Sequence, residues 1–153
     1  LLWALGVVAE IVLFFLLPGL RNRFAPLILL LIAIGLMALR WLLIGYQADL
    51  LGWLLFAQLL HAASFGMTHA VGIWVIDHQF PGRAHARGQA ILSAASYGGG
   101  AALGLYLAGL LWGRVEPGTA FAAMTVASLL AFALMLASRR VVRWSPGERE
   151  AGQ

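Results

Sequence analysis

The sequence predicts an all-α membrane protein of five transmembrane helices. Three observations predict it. The chain is 62% hydrophobic and only 10% charged over 153 residues, where a soluble domain carries about 25% charged residues. Its apolar runs approach or exceed the roughly 20 residues that cross a bilayer as a helix. All five prolines (Pro18, Pro26, Pro81, Pro117 and Pro146) fall between those runs or in the tail, as expected of a residue that breaks helix interiors.

The first span reads from about Leu1 to Leu17 and stops at Pro18-Gly19. Leu1 stands inside an apolar run, with no charged segment before it and no small-residue cleavage site after it. A signal peptide is therefore a poor reading, and the expectation is a chain lacking its N-terminal part. The second span runs from about Pro26 to Tyr46, the third from about Leu50 to Ile76, the fourth from about Ala86 to Trp112 and the fifth from about Thr119 to Ala137. These form a transmembrane domain over 1–137. The remainder, 138–153, is a tail expected to be solvated and partly disordered. Trp3, Trp53, Trp74 and Trp112 lie near span ends, where an interfacial belt holds them.

Orientation follows from the arginines. The net charge is +4, and every basic residue is Arg. Arg21 and Arg23 follow the first span, Arg83 and Arg87 the third, and Arg139, Arg140 and Arg143 the fifth. The other side has Asp49 and an Arg114 offset by Glu116. The positive-inside rule puts the rich side in the cytoplasm, so the C-terminus is cytoplasmic and the localisation a cytoplasmic (inner) membrane. Arginines dispersed over short loops give no nucleic-acid face. With no cysteine in the chain, disulfides and thiolate metal sites are excluded.

Charge at the bilayer centre costs about 2.5–3.5 kcal/mol on insertion scales and marks function by default. Glu10 lies in the first span, Arg40 in the second, and Gln58, His61 and His69 in the third. In QLLHAASFGMTHA, Gln58, His61, Phe65, His69 and the following Gly72 are spaced three, four, four and three, which makes one stripe on a helix. Ser64 and Thr68 flank it. At about 1.5 Å rise per residue, counting from Pro18, Pro26 and Ile76, Glu10 lies about 12 Å deep, His69 about 10 Å, Arg40 about 21 Å and His61 about 22 Å. This sorts the groups into two layers, Glu10 with His69 and Arg40 with His61. Opposite charges could meet if Arg40 reached toward Glu10.

His61 and His69 are eight residues apart, about 12 Å along the axis, too far to share one metal ion. No metal or other cofactor is expected. His78 and His85 read as solvated loop residues. In the fourth span Gln89, Ser93, Ser96, Tyr97, Gly100 and Gly104 trace one side. Gly100 and Gly104 form a small-residue pair of the kind that lets helices pack closely. The fifth span reads as peripheral and lipid-facing. No G-x-S-x-G hydrolase motif occurs.

The words LGVVAEIVLFF, LRWLLIG, QLLHAASFGMTHA and GQAILSAASYGGG resemble the major facilitator superfamily, specifically its phenylpropionic acid permease type, related to lactose permease and nucleoside-proton symporters. The resemblance covers roughly Leu1 to Leu136. It implies the last five helices of a twelve-helix fold, with a missing N-terminal half of seven spans as partner. In lactose permease the corresponding helices carry a carboxylate, an arginine, a histidine and a second carboxylate. Arg40 matches the arginine and His61 the histidine. The second carboxylate falls on Ser64, and the first near Val7, one turn from Glu10.

The resemblance implies proton symport of a small organic substrate such as an aromatic acid, with binding near the midplane. Glu10 and His69 would carry protons. Arg40, Gln58, His61 and Ser64 would serve substrate and charge pairing. The partners are then substrate, protons and the lipid bilayer, with no nucleic acid. Two rivals are a membrane-embedded enzyme using His61 or His69 as acid–base groups and a non-transporting remnant.

Overall fold

Every backbone N–H and C=O must be satisfied internally in a bilayer core, so an apolar chain of this kind folds as helices. The computed structural model describes residues 2–140, which form five helices long and apolar enough to cross a membrane: α1 Leu2–Arg23, α2 Pro26–Gln47, α3 Leu51–Gln79, α4 Gly82–Leu111 and α5 Pro117–Ser138. No strand occurs among the described residues. Most of the expected tail, including Arg143, lies outside them.

Pro26 and Pro117 sit in the first turns of α2 and α5, where a missing N–H costs nothing because it has no intrahelical partner. Pro18 behaves differently. The sequence reading ended the first span there, but α1 continues through it to Arg23. Without water to satisfy freed backbone groups, a helix in lipid has no better alternative than to continue past a proline. The connections turn on glycine: Gly82 opens α4 at φ 64° and Gly113 follows it at φ 77°, a region that favours glycine.

Two helices contain a widened, π-helical turn: Ala62–Gly66 in α3 and Ala94–Gly100 in α4. Such turns add a residue to the local repeat and rotate the helix face beyond them.

The core lies where α1, α2 and α3 meet at their arginine-rich ends. Leu17, Leu29, Leu30, Ala33, Met67, Val71 and Trp74 form it, with Leu13, Leu20 and Met135 packed against it. Arg21 locks this end by placing its guanidinium carbon 4.4 Å from the Trp74 ring centroid. His78 and His85, expected as solvated loop residues, belong to helices. His78 packs edge-on against Trp74 at 5.5 Å, and His85 Nδ1 lies 2.8 Å from Asp77 Oδ1, linking α3 to α4.

α5 packs antiparallel along α2. Gly118, Phe121, Thr125, Ser128 and Phe132, spaced three and four apart, make its inner seam. Trp41 stacks on Phe121 at 5.9 Å. Thr125 and Ser128 are buried, so α5 shows lipid only its other face. At one end the two backbones nearly touch: a Cβ on Gly45 would stand 2.7 Å from Phe121 Cβ.

The second half of α4 has no buried residue. No other helix comes within 4 Å of a Cβ built on Gly100 or Gly104; near Gly100 is only its own helix's Ala95 carbonyl, at 3.2 Å. The expected Gly100–Gly104 packing seam thus has no neighbour among the described residues.

Because Phe121 Cβ cannot swing aside, Gly45→Leu should destabilise the protein by about 1–3 kcal/mol, the usual range for overpacking. Gly52→Ala, at a position with nothing within 4 Å, is the control. Thermal unfolding in detergent should show a lower Tm for Gly45→Leu alone; equal Tm values for both variants would mean that α2 and α5 are not in close contact.

Candidate substrate and proton site

The site forms where α1 crosses α3. Gly6 makes the crossing close: a Cβ there would stand 3.4 Å from Gln58 Oε1 and 3.7 Å from His61 Cδ2. One helical turn onward, Glu10 reaches across. Its Oε1 lies 3.3 Å from His61 Nε2, and its stem lies over Gly66, whose Cβ would be 3.5 Å from Glu10 Cγ.

This changes the expected layering. Glu10 pairs with His61, not with His69. Both helices run past the ends read from sequence, α1 to Arg23 and α3 to Gln79, so counts from Pro18 and Ile76 place Glu10 and the histidines too shallow by about 8 and 5 Å. Depth alone does not choose the partner; the close crossing at Gly6 and Gly66 does. Arg40 does not reach Glu10 either. Among the described residues the ion pairs are Glu10–His61 and Asp77–His85. Arg40 instead lies over its neighbour Trp41, 4.8 Å from the ring centroid, and is close enough for its charge to act on His61. Two buried polar atoms here, Arg40 Nε and His61 Nδ1, have no hydrogen-bond partner among the described residues.

The stripe read from sequence is real and has a direction. His61, Phe65 and His69 stack along α3, with ring centroids 5.2 and 6.3 Å apart and planes within 10° and 6° of parallel. Its upper end faces α1 through Gln58 and His61. Its lower end faces α4: Gly72 lies near Leu92, and His69 Nδ1 is 2.7 Å from the Tyr97 hydroxyl. Phe65 separates the two imidazoles, and a phenyl ring relays no proton. Glu10–His61 and His69–Tyr97 are thus separate polar stations.

Ser64, expected in the substrate site, serves its own helix. It is 1% exposed, and its hydroxyl donates to the Leu60 carbonyl at 2.8 Å and the His61 carbonyl at 3.2 Å. Thr68 donates to the Ser64 carbonyl at 2.6 Å. These hydroxyls serve carbonyls around the widened turn.

Tyr97 is the polar contact of His69 that sequence reasoning missed, having placed it among packing residues of the fourth span. A signal for it exists: AASFG at 62–66 recurs as AASYG at 94–98, and the π-helical turns begin at the same point of both words.

Long apolar helices around a carboxylate–imidazole pair define a multi-pass membrane protein with a polar site built inside its spans, the arrangement of secondary transporters. The chain belongs to the MFS_1-like family of the major facilitator superfamily, a family of transporters rather than enzymes, whose model matches residues 1–123. It is 35% identical over 111 residues to the "Probable 3-phenylpropionic acid transporter" of Escherichia coli (strain K12), an alignment covering 72% of this chain and 29% of that protein. The chain therefore spans under a third of that relative's length. No solved structure matches it significantly.

Since the Ser64 hydroxyl only supplements its own helix, Ser64→Ala should cost less than about 1 kcal/mol. Ser64→Leu should cost about 1–3 kcal/mol by overpacking a filled position. Chemical denaturation or thermal unfolding of the two variants checks this; a large loss in the alanine variant would give the hydroxyl a partner beyond α3.

Proposed function

We propose that this chain forms part of a proton-coupled symporter that takes up a small organic acid, an aromatic acid such as 3-phenylpropionate, across the cytoplasmic (inner) membrane. Its C-terminus would lie in the cytoplasm, on the side of Arg21, Arg23, Arg83 and Arg87. The observation that carries the reading is the Glu10–His61 contact at 3.3 Å inside two spans, with Arg40 nearby. The relative's printed name supports the aromatic acid.

Charge balance explains how such a cluster would couple two cargoes. With His61 neutral, Glu10 and Arg40 cancel and the cluster is neutral. A proton taken up by His61 leaves one positive charge. A substrate carboxylate then restores neutrality. Empty and fully loaded clusters are both neutral, whereas proton-only and anion-only states are charged. Occluding a charged state in a low-dielectric interior is expensive, so only the two neutral states change access readily as the transporter rocks.

In this scheme Glu10 keeps the proton-coupling role read from sequence, and its partner becomes His61. His69, hydrogen-bonded to Tyr97 beyond Phe65, stands outside the pair. Arg40 offers its guanidinium to the substrate carboxylate, and Gln58, against Gly6, orients it.

Glu10→Gln removes the carboxylate that contacts His61. In proteoliposomes carrying the full-length natural polypeptide, it should abolish uphill accumulation driven by a proton gradient while sparing exchange of preloaded substrate. Persisting accumulation would remove Glu10 from the coupling. Arg40→Ala should weaken uptake of the acid by about ten- to a hundredfold, the value of a hydrogen bond to a charged group, and that of an uncharged amide analogue far less. Equal losses would make Arg40 a structural residue.

A further inference from the structure

A cleft of about 380 Å³ opens between α3 and α4, with Met37 of α2 on its wall. This is within the range of small-molecule sites, about 300–1,000 Å³. It adjoins the charged cluster on two sides: Met37 lies one turn from Arg40 along α2, and Phe65 stacks directly on His61. Thr68, His69, Gln89, Ser93, Ser96 and Tyr97 give it a polar wall. No Asp, Glu, Lys or Arg lines it.

Two hydroxyls of that wall, Ser93 and Ser96, differ from most others among the described residues. Ser64, Thr68, Thr125, Ser128 and Ser138 all turn back to accept a place on their own helix, each donating to a carbonyl three or four residues earlier. Ser93 and Ser96 make no such bond and no other among the described residues. Both lie in the cleft wall, Ser96 within the π-helical turn of α4. Gln89 spends only one N–H, on the Ile73 carbonyl at 3.5 Å. Polar groups inside a span face a protein interior or a water-filled cavity rather than lipid. Groups left free at the wall of a cavity are available to a ligand.

Resting on the reading above, we propose that this cleft holds the aromatic ring of the substrate and selects rings that carry a hydroxyl group. The carboxylate stays at Arg40 and His61. The ring then reaches over Phe65 and Met37, and its hydroxyl hydrogen-bonds to Ser93, Ser96 or Gln89. A wall of neutral donors and acceptors suits a phenolic hydroxyl, which both donates and accepts. It does not suit a second carboxylate, which would find no cation there. His69 and Tyr97 close the far end as a hydrogen-bonded pair at 2.7 Å.

The test uses the full-length natural polypeptide and two probes, 3-phenylpropionate and 3-(3-hydroxyphenyl)propionate, in competition binding. The hydroxylated probe should bind more tightly by several-fold to about tenfold, the worth of one neutral hydrogen bond. In Ser93→Ala/Ser96→Ala the ratio of the two affinities should fall toward one. An unchanged ratio in that variant, or no preference in the natural protein, overturns the assignment of the ring and leaves proton-coupled acid transport standing. Failure to bind or accumulate either acid sinks the transport reading itself. Should the double variant fold poorly, Ser96→Cys in a cysteine-free background gives a second readout. Its alkylation by N-ethylmaleimide should be slowed by the hydroxylated probe, and an unprotected cysteine counts against the cleft.

Discussion

A carboxylate deep in an apolar helix needs a partner, and the geometry of the site follows from how Glu10 finds one. Charge at the bilayer centre costs about 2.5–3.5 kcal/mol on insertion scales. A neighbouring helix can relieve that only if it comes close enough for a short side chain to bridge. Gly6 provides the approach on α1, one turn before Glu10, by leaving room for Gln58 and His61. Gly66 does the same on α3, where the stem of Glu10 lies. The ion pair and the glycines are therefore one feature: without the close crossing the carboxylate would stand unpaired, and without the carboxylate the crossing would be ordinary packing.

The π-helical turns extend the same logic along α3 and α4. A widened turn frees carbonyls, and in lipid each must be satisfied from within the protein. Ser64 and Thr68 meet that need in α3. The equivalent turn in α4 is rich in glycine, and its serine is not spent in this way. α3 is thus braced and α4 is not, which fits their packing. α3 contributes Met67, Val71 and Trp74 to the core, whereas no part of α4 longer than a single residue is buried.

The five spans were legible because composition and proline placement both report on the bilayer, a constraint that acts on every residue alike. The stripe His61–Phe65–His69 was legible for a similar reason, since a spacing of four survives in any helix. What failed was depth. Pro18 reads as a stop by the rules of soluble helices, but α1 has no water at hand to satisfy a broken turn and continues. Nor does depth counted along separate helices contain the crossing at Gly6 and Gly66 that sets Glu10 against His61. The pairing of Tyr97 with His69 was illegible for a different reason. It depends on the rotation of α3 against α4, and each π-helical turn shifts that rotation by an amount that a fixed helical period does not contain.

Phe65 gives the arrangement a consequence for ligand size. It holds the two imidazoles apart, so a proton at His61 has no relay to His69 through the stack. Yet the ring is 42% exposed and lines the cleft, so it is a surface that an aromatic ligand can cover. A ligand anchored by its carboxylate at Arg40 must pass this ring to reach the hydroxyls of α4. In the proposed scheme His61 and Ser96 would be joined by the ligand, not by the protein. An acid too short to pass Phe65 would engage the charged cluster alone, and one of arylalkanoic length would engage both walls. Under that proposal, selection by length and selection by ring substituent would be two readings of the same two-sided site.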